Sequence, residues 1–199
     1  MTTGSTIKVW DLFIRFFHWS LVTAFIVSYL TEGENNLHFY SGWFIAVMLV
    51  LRIIWGFIGS KHARFNDFVK PLSQIKHYTK SLIAGSSSSM TKYTGHNPLG
   101  GLMIIALLAS LSMSVVSGVM LYSSTENSLF SFVDKPLLQE IDEHEESETE
   151  GEEVWEEIHE IFVNLTLAFI IIHIIGVLVS SWLHNENLIK AMFTGKKTE

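Results

Sequence analysis

The sequence predicts an all-α integral membrane protein: a four-helix bundle with one further helix lying in the cytoplasmic interface. Three observations predict it. Four stretches are apolar over the roughly 20 residues that a hydrocarbon core demands. Hydrophobic residues make up 48% of the 199 and charged residues only 17%, and long stretches carry no charge at all. The charges gather between those stretches in blocks of opposite sign, as the loops of an oriented membrane protein do. The overall balance, 13 Lys and Arg against 20 Asp and Glu, argues against nucleic acid as a partner and leaves membrane lipid as the surroundings.

The first span is Leu12–Leu30, with Arg15 and His18 close to its start. A cleaved signal peptide is the competing reading, but no small-x-small site follows Tyr29–Leu30 and the apolar run is too long, so the helix is expected to stay. Phe39–Ile58 is the second span, and its sole charge is Arg52 near its end. Phe65, Phe68, Val69, Leu72, Ile75, Leu82 and Ile83 then recur at near-helical spacing, with Lys70, Lys76 and Lys80 between them and Pro71 suited to a first turn. This pattern predicts one helix lying in the cytoplasmic interface, followed by a flexible linker at Gly85–Ser89. The third span, Leu99–Tyr122, holds no charge. An acidic connection over residues 123–158 leads to the fourth, Ile161–Leu183, whose only titratable group is His173. Trp10, Trp19, Trp43, Trp55, Trp155 and Trp182 fall mostly at span ends, where indoles anchor helices to the interface.

Lys and Arg orient the bundle. Residues 1–18, 52–97 and 184–199 hold two, seven and three of them, whereas Lys135 stands alone against fourteen acidic residues between Glu126 and Glu160. Both termini and the middle loop are therefore expected in the cytoplasm, with the acidic segment outside.

Zero cysteines rule out disulfides, Cys-ligated zinc, iron–sulfur clusters and thioether-linked haem, so a redox metal here needs His, Met, Tyr or carboxylate. The histidines at membrane depth meet that need. His159 and His173 stand 14 residues apart, close to four helical turns, so they point alike about 21 Å apart along one helix. His18 on the first span shares the inner depth with His173, and His38 at the start of the second shares the outer depth with His159. Two stacked metal sites follow, each fed by two helices. Axial ligation of haem fits, because the iron takes one imidazole from either side of a flat ring held between helices. Zinc or copper transport is the rival use of paired histidines, but it normally wants carboxylates or thiolates at depth, and the spans hold neither.

Small residues would clear room for the ring. Gly42 lies one turn after His38 and Gly176 just under a turn after His173, though glycines also serve close helix packing. Arg15 and Arg52, at the inner depth, offer forked donors to haem propionates or else reach to lipid phosphates. His96, just before the third span, would donate to an inner propionate, line a quinone pocket, or bond within a helix cap. His62, His77, His144 and His184 are expected to be solvated.

Arg15-Phe16-Phe17-His18-Trp19, His38 with Gly42, Arg52 through Gly59, Gly95-His96-Asn97-Pro98-Leu99-Gly100, and His173 through Leu188 together resemble the bacterial cytochrome b561 family, which includes nickel-iron hydrogenase b-type cytochromes. The resemblance runs from about residue 8 to residue 197 and ends in the basic tail Thr194-Gly195-Lys196-Lys197. It implies a bacterial inner-membrane protein with two haem b groups, passing electrons between the quinone pool and a redox partner. By the same resemblance His18 and His173 look like the inner ligands, and His38 and His159 the outer ones. The acidic connection departs from the family pattern. Its charge would draw a cationic surface such as that of a periplasmic c-type cytochrome and repel superoxide, the donor that some relatives suggest. Four functions stand at this point: an electron-transfer module, a superoxide:quinone oxidoreductase, a subunit of a larger oxidoreductase such as a hydrogenase, and a haem-free four-helix transporter or assembly subunit.

Overall fold

The computed structural model describes residues 6–32, 36–84, 93–125 and 148–198. Helices dominate. In chain order they are α1 (Leu12–Leu30), α2 (Asn36–Ile58), α3 (Phe65–Phe68), α4 (Leu72–Ile83), α5 (Pro98–Thr125), α6 (Glu148–Leu183) and α7 (Leu188–Thr194). A single 3-10 turn, Lys61–Ala63, precedes α3. Two short strands, β1 (Thr6–Lys8) and β2 (Lys196–Thr198), pair antiparallel. Four of the helices are long and apolar enough to cross a membrane: α1, α2, α5 and α6. Much of their apolar surface is exposed, Ile172, Ile174, Ile175 and Leu178 among it, as suits helices whose solvent is lipid.

Each expected span is found. α1 keeps the expected bounds because Asp11 caps it, accepting from the Ile14 amide at 2.8 Å, and Thr31 ends it. α2 starts three residues early and α5 runs slightly past both expected ends. α6 departs furthest, since helix already begins at Glu148 inside the expected acidic loop. Val154, Ile158 and Ile161 prolong the helical spacing of the span backwards, and carboxylates in the opening turns favour the helix dipole. Residues 126–147, the rest of that loop, and the Gly85–Ser89 linker lie outside the described residues.

The single interfacial helix expected over 65–83 is two. Phe68 is fully buried, its backbone against Gly101 of α5, and the Phe65 ring lies on Gly56 of α2. At both glycines an added Cβ would collide with these groups. Phe65 and Phe68 thus turn inward, the chain breaks before Pro71, and only α4 keeps an amphipathic pattern, with Leu72 and Ile83 exposed.

The chain divides into two compact units, Met1–Leu108 with Phe169–Glu199, and Ala109–Ala168. The first has its core at the termini, where Val9, Trp10, Ile14, Ala63 and Ala191 cluster beneath Phe13, Trp55 and Met192. Asp11 ties this core together by accepting from Trp55 Nε1 at 3.1 Å and from Ser60 Oγ. Burial pushes its carboxyl up, but these bonds and the Ile14 and Phe13 amides outweigh it and leave the group below its usual range. Neither α7 nor the ribbon was expected from the sequence. Asn187 caps α7 by accepting from the Lys190 amide at 2.8 Å, and Gly195 ends it in the left-handed region at φ 77°. There the Gly195 carbonyl accepts from the Val9 and Trp10 amides. A Cβ at residue 195 would fall 2.6 Å from the Trp10 carbonyl oxygen, so only glycine fits.

The second unit comprises the adjoining parts of α5 and α6. Small polar residues Ser110, Ser114, Ser117 and Thr166 are buried there, each hydroxyl that donates doing so to a carbonyl one turn back or to its neighbour. Such residues let membrane helices approach closely.

Candidate metal centres

His159 projects from α6 toward α5 within the second unit. Its Nδ1 lies 2.9 Å from the Ser114 carbonyl oxygen and 3.2 Å from Ser117 Oγ. Gly118 makes the approach possible, since a Cβ there would come within 3.0 Å of the imidazole. His38, in the first turn of α2, repeats the device in the first unit. Its Nδ1 lies 2.9 Å from the Ser28 carbonyl oxygen of α1 and 3.4 Å from Ser28 Oγ. A carbonyl only accepts, so in the neutral ring Nδ1 carries the proton and the lone pair resides on Nε2. That tautomer, held by that kind of partner, is the one metal-ligating histidines adopt.

The other expected site residues gather in the first unit. His18 and His173 lie within electrostatic reach of one another, and His173 also of His96. Arg52 is buried at 4% exposure, with its guanidinium 5.5 Å and 5.8 Å from the Phe65 and Phe68 ring centroids. It therefore does not extend to lipid phosphates. Arg15 gives Nη2 to the Phe193 carbonyl at the end of α7. His96 packs against Trp10, ring centroids 4.4 Å apart, and against Phe68 at 5.4 Å. Burial, with Lys197, Arg52, His173 and His62 nearby, pushes its pKa down to about 3, so it is neutral at ordinary pH.

Five buried polar atoms in this unit lack a hydrogen-bond partner among the described residues: Arg15 Nε, His18 Nδ1, Trp19 Nε1, Arg52 Nη1 and His96 Nδ1. Each such atom left unpaired costs about 1–3 kcal/mol, so five in this unit call for polar partners beyond the described residues. Among the described residues nothing comes within 4 Å of a Cβ built on Gly42 or Gly176, so neither is in close contact with another helix there. Carboxylate-bearing haem fits these features. No group of three or more His, Asp or Glu that could hold a bare metal ion is found among the described residues.

Other expectations need correction. The cap of α5 is Asn97, not His96: its side chain accepts from the Gly100 amide at 2.7 Å and its carbonyl from the Gly101 amide. His62 is not solvated, because Asp67 Oδ2 stands 2.9 Å from its Nδ1 and its side chain is 16% exposed. Trp19 does more than anchor, stacking on Phe193 at 4.2 Å and standing edge-on to His18 at 5.0 Å. The carbonyl partners of His38 and His159 were missed altogether. For His159 the signal was the small-residue stripe Ser110, Ser114, Ser117, Gly118, which recurs at helical spacing; for His38 there was none.

The family model for prokaryotic cytochrome b561 matches residues 9–195. The chain is similar to a probable Ni/Fe-hydrogenase B-type cytochrome subunit of Rhizobium leguminosarum bv. viciae, 25% identical over 96% of this chain and 89% of that protein. The probable Ni/Fe-hydrogenase B-type cytochrome subunits of Bradyrhizobium diazoefficiens and Cupriavidus necator are 24% and 22% identical, covering 96% and 100% of this chain and 86% and 91% of theirs. No solved structure matches.

Proposed function

Because the chain belongs to the prokaryotic cytochrome b561 family, a family of membrane b-type cytochromes, we propose that it carries electrons across the bacterial inner membrane through two haem b groups, each held by two histidines. His18 and His173 hold the inner group, and His38 and His159 the outer one. Haem b, when bound between these histidines, would supply an iron that alternates between ferric and ferrous. The observation that carries this reading is the repeated Nδ1 anchorage of His38 and His159, which sets each ring's tautomer for ligation through Nε2.

The chain's own groups do the rest. Arg52 and His96 offer their unpaired donors to the inner propionates, and Arg15 Nε is available to the same end. Gly42 and Gly176 leave room beside the ligands. With the termini in the cytoplasm, the acidic opening turns of α6 face outward, where Glu153, Glu156, Glu157 and Glu160 are exposed and favour a cationic redox partner such as a c-type cytochrome. The preferred direction is from quinol to that partner. A second reading, a b-type subunit docked to a nickel-iron hydrogenase, is favoured by the names of the relatives.

A reduced-minus-oxidised spectrum with haem quantification on His18→Ala, His38→Ala, His159→Ala and His173→Ala tests the assignment. The wild type is expected to hold two haems. The first and last variants should lose one and the same haem, and the middle two the other. Any variant that keeps both would refute its ligand.

A further inference from the structure

The loop carrying His96 is held by the far end of the chain. Lys197 Nζ donates to the Gly95 carbonyl at 3.3 Å and to the Tyr93 carbonyl at 3.5 Å, and it meets Glu186 Oε2 at 3.2 Å. Side-chain exposure of this ion pair is 10% and 9%. Burying two charges costs more desolvation than their attraction readily repays, so a pair this deep calls for a role besides stability. Its position is rigidly set. Pairing of β1 with β2 puts Lys197 opposite Ile7, and the left-handed turn at Gly195 locks the register.

The same loop is bounded on another side by the contact between His62 and Asp67. A Cβ on Gly95 would lie 3.0 Å from His62 Nδ1 and 3.2 Å from Asp67 Oδ2, so the backbone at residue 95 rests directly on that pair. The peptide immediately before His96 is thus fixed by Lys197 through its oxygen and by His62 and Asp67 through its α-carbon. The imidazole itself lies between Trp10 and Phe68. Nothing in the reading of the haem ligands uses Lys197.

We propose that Lys197 is a positioning residue of the inner site: by holding the Gly95 and Tyr93 carbonyls it presents the His96 imidazole to the acidic edge of the bound haem, and its ammonium adds positive charge there. The electrochemical half rests on the proposed function; the loop-holding half does not. Two readouts separate them, both made on the full chain in detergent. One is amide hydrogen exchange of residues 93–101, and the other is the midpoint potential of the haem that His18→Ala removes.

Lys197→Met keeps the methylene stem but loses donor and charge. It should speed exchange in this loop about tenfold, the loss expected for a charge-assisted hydrogen bond, and shift that haem's potential downward while the other haem stays put. Removing a nearby cation favours the ferric form, which sets the sign. Lys197→Arg should restore both readouts. Lys196→Met, which removes an equal charge from an exposed position on the same strand, should alter neither. Lys197→Gln serves where the methionine variant does not accumulate, with the same expectations. Lys197→Met indistinguishable from Lys196→Met overturns the proposal. So does faster exchange with an unmoved potential, which would make Lys197 a purely structural clamp. A preparation without the His18-dependent haem sinks the parent reading instead, and the exchange comparison then still judges the hold on the loop.

Discussion

His38 and His159 are anchored by the chain's own backbone, whereas the cluster around His18 and His96 is left with polar atoms that the described residues do not satisfy. The two arrangements solve one problem in opposite ways. A carbonyl on Nδ1 would orient a ligating ring before anything binds, leaving little ordering for the moment of binding. Five unpaired polar atoms, the donors of Arg15, Trp19 and Arg52 among them, do the reverse: left alone they would destabilise their surroundings, a cost that a bound polar group would relieve. The first arrangement favours precise geometry, and the second couples occupancy to the stability of the surrounding unit.

The largest effect that would break this contrast is expected at Gly118. Its α-hydrogens face the His159 ring, so Gly118→Leu should drive the imidazole off the Ser114 carbonyl and abolish the haem that His159→Ala also loses. Haem content read by pyridine haemochrome checks this, and an unchanged content would mean that the anchorage does not orient the ligand. Next in size is Arg52→Met. Without its haem the variant should be no less stable than the parent, because a buried unpaired donor is gone; with haem bound it should hold the inner group about tenfold more weakly. Competition with apomyoglobin measures that loss, and equal affinity would remove Arg52 from the site.

The smallest effect is in pH dependence. His96 has a folded pKa of about 3 against an ordinary 6.5, so it resists protonation in the folded chain and accepts a proton readily when unfolded. Its contribution to stability is therefore complete above 6.5 and is lost as the pH falls through that window toward 3. His96→Phe, an aromatic replacement between Trp10 and Phe68, should flatten the thermal stability profile over this range relative to wild type. Parallel profiles would show that the group titrates normally.

Four spans, their order and nearly all their bounds were legible, because twenty-residue apolar runs leave few alternatives in lipid. The histidines were legible for the same reason, as polar groups that lipid does not tolerate without purpose. What escaped is local and tertiary. The break at Pro71 depends on Phe65 and Phe68 finding Gly56 and Gly101, glycines separated from them in sequence and unremarkable alone. A backbone carbonyl has no residue type, so Ser28 could not announce itself as the partner of His38, and Ser114 only through the small-residue stripe that admits His159. The helical start of α6 was hidden because its acidic composition reads as loop, although Val154, Ile158 and Ile161 keep the helical beat.

The ribbon of Thr6–Lys8 with Lys196–Thr198 joins nearly the first described residues to the last. β1 precedes all four spans and β2 follows them, so β1 must wait unpaired until every span has been made. Closure of the ribbon therefore follows synthesis of all four spans. Until then the neighbourhood of His96 stays open to whatever prosthetic group is to be loaded, and a chain that stops before residue 196 never acquires the latch.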